Sequence, residues 1–192
     1  NHDDEMTTEY GGTRYGSASY LGGDYSFAGG TLLSVYQARF EDVWDQTYIN
    51  LGKTFSLDED KSLALGANLY STRDQGSARA GEIHTDSWSS FARLRVGAHS
   101  MMLAHQRIKG GQPFDYLGDG DSIYLANSVL YSDFNSPNER SWQLRYDLDL
   151  APFGVPGLSF MTRYIRGDHI DDSHRSTRSV YQRYGEHGKR WE

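Results

Sequence analysis

The chain lacks cysteine, carries only four prolines in 192 residues, and is short of basic residues. Without cysteine, neither a disulfide nor a thiolate metal site can form, although that absence alone names no compartment. No apolar run reaches the roughly eighteen residues that a membrane-spanning helix needs. Nineteen Lys and Arg against 26 Asp and Glu leave a net charge of -7, and no basic cluster offers a nucleic-acid surface. The zinc motif HExxH, the nucleophile elbow GxSxG, the P-loop and GxGxxG are all missing, so the sequence points to no metal, no cofactor and no catalytic set. Asp115, Asp119 and Asp121 cluster, but without the twelve-residue EF-hand pattern that calcium would require. The sequence has no signal-peptide pattern and reads as an internal piece of a longer protein.

What is present is a rhythm. In Ser141–Leu150, Trp142, Leu144, Tyr146, Leu148 and Leu150 alternate with Ser141, Gln143, Arg145, Asp147 and Asp149. A helix would mix the two sets on one stripe; a strand separates them. This stretch belongs to a strand at about 139–151, and similar ones at about 14–25, 31–41, 45–55, 62–73, 86–97, 99–108 and 157–167 make eight expected strands, with a ninth beginning near 186. The connections alternate between short turns at 26–30, 56–61, 98 and 152–156, and a second set at 41–44, 74–85, 109–138 and 168–185. Bacterial outer-membrane barrels alternate short periplasmic turns with long external loops in this way. A mean hydropathy of -0.70 fits such a barrel, because every second residue faces a wet lumen. Fourteen Tyr and four Trp suit membrane interfaces. The expected fold is therefore all-β, an antiparallel transmembrane β-barrel, with 1–192 forming part of a single domain.

Facing follows from parity. Leu63, Leu65, Ala67 and Leu69, then Trp88, Ala92, Leu94 and Val96, then Leu158, Phe160, Thr162 and Tyr164 are assigned to lipid. In 31–41 the face with Tyr36, Ala38 and Phe40 is also assigned to lipid, which leaves Arg39 inside with Arg93, Arg95, Arg145 and Arg163. Strand 99–108 stays open, since Leu103 shares parity with His105 and Arg107. Lumenal arginines would guide anionic groups by bidentate pairing; the alternative is solvated charge paired with Asp147, Asp149 or acidic loops. The 109–138 connection is too long and aperiodic for a plain linker and reads as a functional loop entering the lumen. Three readings compete: a channel for carboxylate-bearing solutes, a barrel enzyme of protease or lipase type, and a soluble β-module, which has no reason to alternate its connections.

From 112 to 170 the motifs become specific. Phe114-Asp115-Tyr116, Asn127–Asn135, Glu139–Asp147 and Gly157–Tyr164, with Glu41-Asp42 and Arg190-Trp191-Glu192, resemble the OprD family of substrate-specific outer-membrane porins. The resemblance implies a monomeric barrel of about eighteen strands, of which eight to nine lie here, with 109–138 as the seventh external loop. It also implies an outer-membrane location among lipid and lipopolysaccharide. Small carboxylate-bearing solutes would pass along a basic ladder facing a constriction pocket. Pocket residues match Ser128, Tyr131 and Asp133. The Tyr-Ser-Asp-Phe-Asn string looks more like the branch taking basic amino acids than the branch taking aromatic carboxylates.

Overall fold

A computed structural model of the chain describes residues 16–116, 123–129, 131–173 and 184–192. Nine strands occupy them: β1 (Ala18–Ser26), β2 (Thr31–Phe40), β3 (Trp44–Asp58), β4 (Lys61–Asp74), β5 (His84–Val96), β6 (His99–Lys109), β7 (Arg140–Asp149), β8 (Ser159–Asp171) and β9 (Glu186–Trp191). They form one sheet in chain order, each strand antiparallel to the next. All nine expected strands are present, with ends moved by a few residues; residues 14 and 15 of the first lie outside the described residues. The alternation of connections holds from β4 onward, where 75–83, 110–139 and 172–185 are long, but β2 and β3 are joined by the short turn 41–43. The β1–β2, β3–β4 and β5–β6 turns are tight, and Ala151–Phe153 forms a 3-10 turn closed by Gly154 at φ 87° before β8.

Antiparallel pairing puts Cα partners on the same face, so one assigned residue fixes a whole row. Tyr36, Tyr48, Tyr70, Ser87 and Ile108 make such a row across β2 to β6. The connection after β6 folds onto this face, which is therefore the inner one. On the other face Leu65, Leu69, Leu94, Leu103, Trp142, Leu144 and Phe160 are exposed. An apolar face of that extent is a lipid-facing surface.

Two facings differ from expectation or settle it. Tyr36, Ala38 and Phe40 point inward, and Arg39 stands on the outer face, where Asp45 holds it through two 2.8 Å hydrogen bonds. The phase of β2 is set at its loop end. There Phe40 packs on Trp44 at 4.1 Å between ring centroids, inside a buried cluster with Ala38, Val43 and Ile83. Near the rim, apolar residues are buried inside by the loops while the outer face leaves the hydrocarbon, so polarity inverts along the strand. Strand β6 follows the same rule. Met102, Ala104, Gln106 and Ile108 are buried inside, and Leu103, His105 and Arg107 face outward.

Candidate functional site

The inner face holds two unlike halves joined by the long loop. Across β1 to β4 the inward positions near the loop are mostly aromatic. Tyr48 stacks on Tyr70 at 4.6 Å and on Tyr124 of the loop at 5.4 Å, and Tyr36 lies 6.4 Å from Tyr48. Tyr36 Oη donates to Asp24 Oδ2 at 2.9 Å. These rings, with Tyr20, Trp44 and Tyr116, line a cavity of about 470 Å³.

Across β5 to β8 the inward positions carry arginine. Arg93, Met102, Arg145 and Arg163 are successive Cα partners, so three of the expected arginines form one row, and Arg95 lies two positions along β5. Their partners differ. Arg145 is engaged by Asp147 through contacts of 2.6 to 3.0 Å, and Arg163 Nη2 lies 3.9 Å from Glu192 Oε1. Arg93 donates to Met102 Sδ at 3.3 Å and Arg95 to the Gly97 carbonyl at 3.3 Å. Neither has an acidic partner among the described residues. Arg39 does not belong to this set, because it faces outward.

The loop seals itself to both halves. On the aromatic side Phe114 is fully buried against Tyr70, with Ile108 and Leu125, and Trp44 Nε1 donates to Asp115 Oδ2 at 3.2 Å. In the middle, Gln106 donates to the carbonyls of Asp133 and Phe134 at 2.9 Å while accepting from the Asn127 amide. Gln143 Nε2 donates to the Ala126 carbonyl at 2.9 Å, and Asn127 Nδ2 to Ser141 Oγ at 2.8 Å. These are buried strand side chains satisfying loop backbone that would otherwise lose its hydrogen bonds to water. On the basic side Arg190 pairs with fully buried Glu139 and donates to Ser132 Oγ at 2.7 Å, its guanidinium lying over Phe134. Gly167 is required beside this pair, since a Cβ there would collide with the Glu139 carboxylate. Phe134, held beneath Arg190, has φ 49°, a conformation that costs on the order of 1–3 kcal/mol outside glycine and persists where the surroundings enforce it.

Of the three expected pocket residues, Ser128 and Asp133 come together. Ser128 Oγ donates to Asp133 Oδ1 and Tyr116 Oη to Asp133 Oδ2, each at 2.7 Å. Tyr131 stands apart. It is 85% exposed, in a turn closed by reciprocal Val129 and Ser132 backbone bonds of 3.0 and 3.1 Å. Asp115 is buried, its Oδ2 accepting from Trp44 Nε1, and Asp119 and Asp121 lie outside the described residues. The residues that parity missed are Gln106, Gln143, Asn127, Glu139 and Arg190. The visible signal for the first two is an amide at an inward strand position; for Glu139 and Arg190 there is none short of the fold.

The strand order, the inward loop and the apolar outer face agree with comparison to known proteins. The model of the outer membrane porin, OprD family, matches residues 1–192. The chain belongs to the OprD family. Porin D of Pseudomonas aeruginosa is 46% identical over 199 residues, covering 98% of this chain and 45% of that protein. Porin-like protein GalP of Pseudomonas putida is 30% identical over 158 residues, covering 81% and 38%. Among solved structures, P. aeruginosa OprD superposes with a TM-score of 0.91 at 47% identity, covering 98% of this chain and 51% of that one. P. aeruginosa OccD3 (OpdP) superposes with a TM-score of 0.84 at 40% identity, covering 98% and 45%. The chain thus spans about half the length of these OprD-family relatives. Membership places it in the outer membrane of a Gram-negative bacterium, in a family of porins and not of enzymes, so the barrel-enzyme and soluble-module readings fall.

Proposed function

We propose that this OprD-family segment forms the selective wall of a channel for passive uptake of small carboxylate-bearing solutes, with basic amino acids or small peptides preferred. The supporting observation is the lumenal arginine row Arg93–Arg145–Arg163 beside the Ser128–Asp133–Tyr116 cluster. Arg145 lies one inward step from Gln143, about 7 Å along β7, and Gln143 holds the loop. A solute carboxylate would meet guanidinium donors as its cationic end meets the Asp133 carboxylate and the tyrosine wall, where cations are attracted to ring faces. In this reading residues 109–138 form the constriction, with Tyr131 projecting from its turn.

The test is uptake through the full-length protein in liposomes. Asp133→Ala is expected to reduce arginine and lysine flux about fivefold more than flux of a neutral amino acid, as loss of one charge-assisted contact implies. Equal losses for all solutes would leave the loop setting width but not selectivity.

A further inference from the structure

Three arginines on the outer face break the pairing rule of the rim. Arg39 is held by Asp45 and Arg73 by Asp86, each at 2.8 Å. Arg107 on β6 and Arg140 on β7 are instead Cα partners, so two cationic positions stand about 5 Å apart on a surface facing away from the lumen. Like charges placed opposite each other destabilise a sheet. Arg166 on β8 is the Cα partner of Trp142, two residues along β7 from Arg140. Asp168 is the Cα partner of Arg140, but its carboxylate is bonded to His169 Nδ1. Among the described residues none of the three arginines has an ion pair, and the Nε atoms of Arg107 and Arg140 are buried without an acceptor.

A cavity of about 380 Å³ opens beside them, lined by Arg107, Arg140, Asn138, His169 and His187, with Asp171 and Glu186 also on its walls. Toward the hydrocarbon lies an aromatic stack. His105 meets Trp142 at 4.2 Å and Trp88 at 5.1 Å, and Trp142 is 53% exposed. Leu103 and Leu144 continue the same face downward. The order is guanidinium, ring, aliphatic chain. An amphiphile with a phosphate at the headgroup level and acyl chains below matches it, with the rings at the interface. Because the long connections leave this end of the strands, the patch lies at the external leaflet.

We propose that Arg107, Arg140 and Arg166 bind a phosphate of the outer-leaflet glycolipid, of lipid A type, whose acyl chains run over Trp142 and Leu144. The guanidiniums supply the donors that a phosphate accepts in pairs, and the anion removes the repulsion between Arg107 and Arg140. The three arginines occupy outer-face positions, opposite in facing to the lumenal row Arg93–Arg145–Arg163, so the site is separate from the proposed solute pathway.

The test titrates bisphosphorylated lipid A into the detergent-solubilised full-length protein, followed by native mass spectrometry, with dephosphorylated lipid A and inorganic phosphate as parallel arms. Each arginine is expected to contribute about fivefold, so Arg107→Ser/Arg140→Ser weakens lipid A binding about 25-fold. Arg39→Ser, an already paired rim arginine, stays within about twofold. Arg166→Ser alone, weakening about fivefold, keeps the test open should the double variant not fold. Binding unchanged in both variants overturns the site, and so does equal affinity for the dephosphorylated lipid. Displacement by inorganic phosphate at comparable concentration overturns the glycolipid as the source of the anion.

Discussion

The inward face of β1 to β4 has no lysine or arginine, whereas that of β5 to β8 has four arginines. Both halves use the same strand geometry and the same rows of Cα partners, so the difference is chemical and not architectural. The aromatic half offers rings, hydroxyls and Asp24; the basic half offers guanidiniums, two of them with no acidic partner among the described residues. A single loop is fastened to both, by Phe114 and Asp115 on one side and by Ser132, Phe134 and Glu139 on the other. A sheet can thus present opposite chemistries across a gap of a few strands, provided one element holds their spacing.

Cutting the basic-side fastening is expected to have the largest effect. Glu139→Ala leaves Arg190 buried at the loop without its carboxylate, which costs about 3–5 kcal/mol. Hydrogen-exchange protection should fall across 126–135 while the amides of β3 and β4 keep theirs. Protection unchanged at 126–135 would mean that Gln106 and Gln143 hold the loop without the ion pair. Cutting the aromatic side comes next. Phe114→Ala empties a site packed against Tyr70 and Ile108 and should cost about 3 kcal/mol, with protection lost first at the Tyr124 amide, which donates to Tyr70 Oη. If both variants loosen the same residues equally, the two fastenings act as one unit and the comparison breaks.

Within the basic half, the arginines should separate by their partners. Arg93→Ala is expected to lower anionic-solute flux about tenfold at low salt and Arg145→Ala about threefold, because Asp147 already occupies the Arg145 donors. Both effects should shrink as salt screens the charges. Equal losses, read as single-channel conductance and liposome flux, would show that net charge and not donor availability matters.

The smallest effect concerns the rim above the aromatic half. The Ser77 amide, then the Ser77 hydroxyl and Arg79, hold the Asp42 carboxyl below the usual carboxylate range. A lowered folded pKa stabilises the 75–83 loop above the ordinary carboxylate range, and that contribution is lost as pH falls through the folded value. Protection factors at Ser77 and Arg79 should therefore be constant from about pH 7 to pH 5 and fall below about pH 4. A loss already complete at pH 5 would assign the effect to another group.

Strand β7 was fully legible because Trp142, Leu144, Arg145 and Asp147 lie where lipid and lumen both act, and period-two alternation then has one solution. Arg39 was not legible. Near the rim its neighbours Ala38 and Phe40 are buried by loops that return inside, and no local pattern distinguishes burial by lipid from burial by a distant segment. Ser128 and Asp133 could be named from the family motif, and the fold joins them; Tyr131, named from the same motif, stands alone in its turn.

The residue pattern alone carried the strands, most of the connections and the facing of the mid-membrane residues, since each depends on neighbours a few positions away. Which side of β2 and β6 faces in, and the fastening of the loop by Gln106, Gln143, Glu139 and Arg190, came from long-range packing. These contacts join residues as far apart as Trp44 and Asp115, or Glu139 and Arg190. Such pairs become neighbours only after strand register has brought them together, and burial then makes each unsatisfied partner costly.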